Sequence, residues 1–235
     1  MRIMKEIQDQ KQLHSFLQTY QLETIFNEAL MPYLSLYRFD QGELICSQGE
    51  PSQVLYVLVK GKIKVYTTSE EGKILIISFK TPTEVIGDIE YIQHIPIINT
   101  VEAVSQVNMI GVPYRMLEKY AADYPPLLNF LLHVITRKFY VKSNFLSFNM
   151  MHPVEVRLAS YLLSVSYDDS DSEIPGQLNS FRLTDVANFI GTSYRHLNRI
   201  IQKLCTEGLI ERSKGLILVK DKEGLSALAN HNIYE

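Results

Sequence analysis

The side chains best suited to chemistry with a partner molecule lie in one short segment near the end of the chain. Between Gly191 and Lys203 there is no acidic residue. The segment instead carries hydroxyl, amide, imidazole, guanidinium and ammonium side chains. These groups can pair with phosphates and donate to base edges, which is what reading a DNA major groove requires. The segment therefore predicts DNA contacts by seven residues: Ser193, Tyr194, Arg195, His196, Asn198, Arg199 and Lys203.

The residues around these donors favour a helix-turn-helix. Ala187 suits a tight contact between two helices, and Gly191 suits the turn because that position needs a residue that tolerates a positive φ. Thr184 can cap the first helix and Ser193 the second. Four apolar residues are spaced so that two crossed helices would bury them: Val186, Ile190, Leu197 and Ile200.

A hairpin and a last helix are predicted after these two helices. Lys214–Gly215 lies between the apolar segments Leu209–Ile210 and Leu216–Val219. This pattern is typical of a hairpin or wing whose tip can meet phosphates through Lys214. The closing helix is expected at 222–229. Residues 176–235 carry eight basic and six acidic residues, so this end has a net charge of +2 while the whole chain has −3. Affinity for DNA must then come from a local patch.

The first half of the chain changes from a helical pattern to short apolar runs separated by glycine. Residues 1 to about 36 have apolar side chains at helical intervals, and Pro32 suits the end of that run. From Tyr37 onward, turn signals such as Gly49–Pro51 and Glu71–Gly72 mark off short segments. Segments of this length and spacing predict an all-β sandwich or barrel with strands at 43–46, 54–59, 63–67, 74–79, 85–86, 100–103 and 108–112.

Helix returns after Pro113, with a short piece to Tyr124 and then a long helix that Pro125–Pro126 begins and His152–Pro153 ends. A helix-turn-helix commonly reads two-fold sites as a dimer, so we favour a dimer seam along this helix. A helix buried against its own domain remains the alternative. The predicted seam positions alternate by four and three, as in a coiled coil: Leu128, Leu132, Ile135, Phe139, Lys142, Leu146 and Asn149.

Composition places the chain among ordinary soluble proteins. Hydrophobic residues make up 46% and charged residues 21% of 235 residues, which suits one large domain or two small ones. Cys46 and Cys205 are far apart, as expected in a reducing cytoplasm. No apolar run approaches the ~20 residues that a membrane span needs, so no membrane partner is expected.

The order of these segments resembles the CRP/FNR superfamily of bacterial transcription regulators over nearly the whole chain. The stretches FDQGELICSQGE, LYVLVKGKIKVY, EEGK and VIGD carry the resemblance in the first half, and FRLTDVANFIGTSYRHLNRIIQKLCTEGLI carries it in the second. The recognition helix SYRHL is most similar to the YeiL-type subgroup. Arg195 stands where the cyclic AMP receptor has a glutamate, so a different half-site with a preferred guanine is expected.

The resemblance implies an α+β protein in three parts: N-terminal helices and an antiparallel β-roll like a cyclic-nucleotide-binding jelly roll (1–124), a dimerisation helix (125–151) and a winged helix-turn-helix (152–235). The expected protein is a cytoplasmic homodimer that binds a near-palindromic operator on double-stranded DNA. RNA polymerase is a further partner if it activates, but no feature of a single sequence marks such a surface. The alternatives are a regulator that responds to a cyclic nucleotide and an adaptor whose helix-turn-helix binds protein instead of DNA.

The resemblance also implies an effector site in the β-roll, where the residues depart from the cyclic-nucleotide pattern. The Gly-Glu pair of that pattern appears as Gly87–Asp88, and the Arg-Ser pair falls on Ile97–Ile98. A phosphate left in an apolar pocket without its cation would cost several kcal/mol, so the residues argue against cyclic AMP or GMP. An apolar or small organic effector, or none, remains open. The candidate pocket residues are Gly87, Asp88, Ile97, Asn99 and Thr100.

Other cofactors and catalysis find little support in the sequence. A four-cysteine iron–sulfur cluster needs four thiolates, and this half of the chain has only Cys46. Haem needs an axial ligand, and His94 and His133 are isolated. No nucleophile motif of the G-x-S-x-G type and no phosphate-binding loop occurs. We therefore expect neither a metal site nor an enzyme.

Overall fold

The computed structural model describes residues 5–72, 74–167, 177–179, 183–213 and 216–230. The chain divides into two compact units, Met1–Lys138 and Phe139–Glu235. The first unit holds the sheets predicted from the glycine-spaced runs, and the second holds the helix-turn-helix. Of the predicted features, the wing tip Lys214–Gly215 and the polar stretch 168–176 lie outside the described residues.

Two antiparallel sheets build the first unit. Their strand orders are β1-β2-β9-β4-β7 and β3-β8-β5-β6. Every predicted strand is present, with bounds that differ by at most one residue at either end. The strands are β1 Lys5–Ile7, β2 Ser35–Phe39, β3 Leu44–Cys46, β4 Val54–Lys60, β5 Ile63–Thr68, β6 Ile74–Lys80, β7 Val85–Ile86, β8 Thr100–Ala103 and β9 Val107–Pro113.

The prediction of helix through residues 1–36 is wrong. Helix α1 covers only Gln10–Thr19, and two 3₁₀ turns follow at Leu22–Thr24 and Met31–Tyr33. Strand β1, before α1, pairs with strand β2, which follows the second turn. The apolar residues at helical intervals are buried as expected, Leu22, Phe26 and Leu30 among them. The helix does not continue to them: Tyr20 caps α1, and Gln21, with a left-handed φ of 55°, leads into the first 3₁₀ turn.

Three helices complete this unit and the link to the next. They are α2 Asp88–Gln93, α3 Tyr114–Ala121 and α4 Pro125–Met151, the last with the predicted bounds. One side of α4 is buried through Leu127 and Leu131, which belong to the hydrophobic core formed by the helices and the five-stranded sheet. A second core, with Phe39, Ile63 and Met109, holds the two sheets together.

The second unit contains α5 Val154–Tyr167, β10 Gln177–Asn179, α6 Leu183–Phe189, α7 Tyr194–Thr206, β11 Ile210–Ser213, β12 Leu216–Val219 and α8 Lys222–Leu228. Strand β12 lies between β10 and β11 in an antiparallel sheet. The predicted wing hairpin is therefore present as β11 and β12, while β10 was not predicted. The polar composition before it indicated only a loop.

Candidate DNA-binding surface and effector region

The turn of the helix-turn-helix has the predicted geometry. Gly191 has a φ of +67°, and the Thr192 N–H donates to the Ala187 carbonyl at 2.9 Å. Ser193 caps α7, because its hydroxyl accepts from the His196 N–H at 3.2 Å. Thr184 lies inside α6, which begins at Leu183, so the expectation that it caps that helix is wrong.

One side of α7 is buried, and its other side, which carries the donor residues, faces outward. Leu197, Ile201 and Leu204 are the buried residues, whereas Ile200 is only half-buried. Ile201 was not among the predicted contacts, because the choice between two adjacent isoleucines depends on the rotation of the helix. The outward side carries Tyr194, Arg195 and Arg199 as exposed residues and His196 and Asn198 as half-buried ones.

Lys203 is engaged within its own chain. Its Nζ lies 2.8 and 2.9 Å from the two carboxylate oxygens of Glu155 on α5 and 3.7 Å from Glu207. The hydrogen bond with Glu155 raises the pKa of Lys203. The absence of acids from 191 to 203 therefore did not describe the surroundings of Lys203. A phosphate would have to compete with two carboxylates for this ammonium.

Arg212 joins the donor surface although the sequence reasoning gave it no role. It is an exposed residue of β11, and its Nη1 donates to the Asn198 Oδ1 at 3.1 Å. The Asn198 Nδ2 in turn donates to the Tyr194 carbonyl at 3.2 Å. The only sequence signal was its positive charge. The contact depends on how β11 folds back against α7.

Arg157 of α5 contacts the turn of the helix-turn-helix through a hydrogen bond to its backbone. Its Nη1 donates to the Ile190 carbonyl and lies 3.4 Å from the Asn149 Oδ1. Aromatic contacts run in parallel: the ring of Phe189 on α6 lies 5.1 Å from that of Phe145 on α4. The last turns of α4 are thus packed directly against the first helix of the helix-turn-helix.

The predicted seam positions along α4 are mostly exposed in the single chain. Leu128, Leu132, Phe139 and Leu146 are 41%, 62%, 74% and 60% exposed. Lys142 is also exposed and Ile135 is half-buried. Asn149 differs from the rest, because its Nδ2 donates to the Phe145 carbonyl and its Oδ1 faces Arg157. Leu128, Leu132, Phe139 and Leu146 thus form an exposed apolar stripe beside the buried Leu127 and Leu131.

The region predicted as an effector pocket is tied to α4 by a buried ion-pair cluster. Asp88 is 2% exposed and accepts from the Nζ of Lys138 at 2.9 and 3.0 Å. The same Nζ lies 2.9 Å from Glu84 and donates to the Val85 carbonyl. Burial by itself would lower the pKa of Lys138, but the carboxylates of Glu84 and Asp88 raise it above the ordinary lysine value.

Gly87 turns the chain just before Asp88. Its φ is +89°, and a Cβ there would lie 2.6 Å from the Tyr114 hydroxyl and 2.7 Å from the Val54 carbonyl. The Tyr114 hydroxyl donates to the Gly87 carbonyl at 2.6 Å. Burial raises the pKa of Tyr114, so this phenol keeps its proton.

The other pocket candidates are used by the fold itself. Ile97 is buried and its backbone bonds with Gly49 and Glu50. The Thr100 hydroxyl accepts from the Gln48 N–H at 3.1 Å. The Asn99 carbonyl lies 3.9 Å from the Cys46 sulfur. Glu90, which the sequence reasoning did not single out, is buried and accepts from the Ile98 N–H at 3.0 Å.

In the described part of the chain, no three histidine, cysteine, aspartate or glutamate side chains are grouped to hold a metal ion. Cys46 and Cys205 are both half-buried. None of the helices in the described ranges combines the length and the apolar character that crossing a bilayer demands.

Comparison with known proteins agrees with this arrangement. A model of the cyclic nucleotide-binding domain matches residues 36–124, and a model of the Crp-like helix-turn-helix domain matches residues 156–228. The chain is 27% identical to the regulatory protein YeiL of Escherichia coli O157:H7, over 88% of this chain and 93% of YeiL. It is 23% identical to a CRP-like cAMP-activated global transcriptional regulator of Mycobacterium tuberculosis, over 86% and 91%.

A solved structure shows the same fold. A CRP-family transcriptional regulator from Thermus thermophilus superposes with a TM-score of 0.70 at 19% identity, covering 84% of this chain and 98% of that one. Two antiparallel sheets, a long helix and a helix-turn-helix with an outward donor surface define a DNA-binding transcription regulator. The chain belongs to the CRP/FNR superfamily.

Proposed function

We propose that this regulator binds a near-palindromic DNA site as a homodimer and reads each half-site with α7. The observation that carries the proposal is the outward side of α7, where Tyr194, Arg195 and Arg199 are exposed next to the capped N-terminus. Residues near the N-terminus of a recognition helix contact base edges. Ser193, His196 and Asn198 belong to the same surface, and Lys214, which lies outside the described residues, remains a proposed phosphate contact.

Arg195 is the residue we assign to base reading. Its side chain is exposed in the first turn of α7, and an arginine can donate two hydrogen bonds to O6 and N7 of a guanine. Arg199 stands one turn further along, and we assign it to the phosphate backbone. Lys203 contributes less than its charge implies, because Glu155 binds its ammonium.

The dimer in this proposal forms along the exposed stripe of α4. Leu132, Phe139 and Leu146 would be covered by the same residues of a second copy, as in a two-stranded coiled coil. Two recognition helices held in this way would enter major grooves about 34 Å apart. We propose the three-part organisation accordingly, with boundaries after residues 124 and 151, and a cytoplasmic location.

We further propose that cyclic nucleotide is not the effector. The Mycobacterium tuberculosis relative is cAMP-activated by name, but here Asp88, the acid at the Gly-Glu position of the cyclic-nucleotide pattern, already binds Lys138. Ile97 supplies no cation for a phosphate at the position that the family resemblance assigns to arginine. A ligand near Gly87, Asn99 and Thr100 would have to be apolar or neutral.

Selection from a random duplex pool, followed by binding measurements at several salt concentrations, tests the DNA assignment. We expect a two-fold site and a steep salt dependence from counterion release. Arg195→Ala should lose roughly 1–3 kcal/mol on that site and relax preference at one position in each half. Equal losses on every sequence would assign Arg195 to phosphate, and salt-independent or absent binding would favour the protein-binding adaptor.

A further inference from the structure

Asn198 is the polar residue in the middle of the outward side of α7, and the fold has already used its amide. Its Nδ2 donates to the Tyr194 carbonyl at 3.2 Å, and its Oδ1 accepts from Arg212 at 3.1 Å. Reading an adenine requires the oxygen and the nitrogen of an asparagine amide together, to accept from N6 and donate to N7. These two bonds fix the orientation of the Asn198 amide and engage one of its two N–H donors and one of its two acceptor lone pairs.

Arg212 reaches α7 because of the side on which it leaves its strand. Ile210 and Arg212 are two residues apart on β11 and point to the same side of the sheet. Ile210 is buried, and so is Ile217, the cross-strand partner of Arg212. The side chain thus leaves on the side that packs on the helices, and its exposed end extends beyond the packed residues alongside the second turn of α7.

The guanidinium of Arg212 keeps most of its donors after the contact with Asn198. A guanidinium has five N–H groups, and the structure shows one of them donating to the Asn198 Oδ1. Among the described residues, Arg212 forms no ion pair with a carboxylate. A guanidinium whose plane is held by a neutral amide loses less conformational freedom on binding, and two parallel donors remain for one planar acceptor pair.

We propose that Arg212 reads a guanine in each half-site and that Asn198 is the positioning residue that orients it. The inference rests on the proposed function, since it places a second base-reading arginine next to Arg195 on the same surface. The reading surface then consists of the first two turns of α7 and β11. It does not extend along α7 to Lys203, whose ammonium binds Glu155.

The test compares four single variants, one of them a control, and one double variant with the wild type, on the selected duplex and on duplexes changed at one base pair at a time. Arg212→Ala should weaken binding to the selected site about tenfold to a hundredfold and lose the preference for guanine at one position. Arg212→Lys keeps the charge but cannot donate in parallel, so it should lose the same preference while its salt slope stays unchanged.

Asn198→Ala should relax the preference at that same position without removing any charge. Alanine has a higher helix propensity than asparagine, so this variant should melt no lower than the wild type. The double variant Asn198→Ala/Arg212→Ala should bind like Arg212→Ala alone, because the asparagine acts through the arginine.

Lys220→Ala is the matched control. Lys220 follows the same small sheet and pairs with Glu211 at 3.1 Å, whose side chain leaves β11 on the side opposite to that of Arg212. This variant should keep the base preference. Equal weakening by Arg212→Ala on all duplexes, or full preference in Arg212→Lys, overturns the inference and leaves DNA binding intact. A wild type that binds no duplex overturns both.

Discussion

Replacing Lys138 with methionine should destabilise the first unit far more than the loss of one surface charge would. The Lys138 Nζ binds Asp88 and Glu84, both at 2.9 Å, and its side chain is 16% exposed. Removing one partner of a buried ion pair costs about 3–5 kcal/mol, because the other charge remains buried. The N-terminus of α2 beside Asp88 offsets about 1 kcal/mol of that. We therefore expect a loss of about 2–4 kcal/mol.

The control for this variant is Lys80→Met in the same cluster. Lys80 lies 3.3 Å from Glu84, with a more accessible side chain, and its loss leaves Lys138 in place. Its removal should cost less than about 1 kcal/mol. Adding Asp88→Asn to Lys138→Met should recover part of the loss, because the uncompensated carboxylate is gone.

Urea unfolding followed by far-UV circular dichroism and tyrosine fluorescence measures these differences, since the chain has no tryptophan. Equal midpoints for Lys138→Met and Lys80→Met at neutral pH, with equal urea slopes, would contradict the larger contribution assigned to the buried Lys138 ion pairs. The ion-pair cluster would then contribute no more than a surface pair.

The pH dependence of the same comparison follows from the pKa shifts. Burial by itself would raise the pKa of Glu84, but Lys138 and Lys80 outweigh it and hold the pKa below the ordinary glutamate value. A lowered folded-state pKa contributes stability above the unfolded-state pKa that is lost as pH falls through the folded-state value. The raised pKa of Lys138 contributes stability that is lost only as alkaline pH passes through it. The gap between wild type and Lys138→Met should therefore be widest between these limits and narrow in acid.

Three further outcomes are expected. The double variant Leu132→Asp/Ile135→Asp should sediment as a monomer and lose operator binding. The control Asn129→Asp/Asn144→Asp adds the same charge outside the stripe and should remain dimeric. An unchanged dimer in the first variant would contradict the seam. Cyclic AMP or GMP at millimolar concentration should leave the melting temperature unchanged. A clear rise would contradict the proposal that cyclic nucleotide is not the effector. Gly191→Ala and Gly208→Ala should each cost about 1–2 kcal/mol in urea unfolding, because both glycines have a positive φ. A Cβ at 191 would lie at an ordinary contact distance of 3.4 Å from Arg157 Nη1 and a Cβ at 208 in open space, so a clearly larger loss at 191 than at 208 would contradict this expectation.

The class of the fold and most element bounds could be predicted from the sequence because their causes are local. Glycines at positive φ, among them Gly61, Gly72 and Gly87, mark the turns between strands. Prolines bound α4 at both ends, and its predicted range of 125–151 is the range observed. Gly191 and Ser193 perform the turn and cap roles that their residue types favour. The N-terminal prediction was wrong for the same reason, since apolar spacing alone does not distinguish a helix from successive turns.

Local sequence signals thus predict a regulator with a β-roll, a long helix and a donor-rich recognition helix. Which charges remain available on the recognition helix depends on how the chain packs. Lys203 is 48 residues from Glu155, and Lys138 is 50 residues from Asp88. Arg212 meets Asn198 because β11 folds back against α7. Periodicity and propensity act over a few neighbouring residues, whereas these three contacts exist only because the packed chain brings distant segments together.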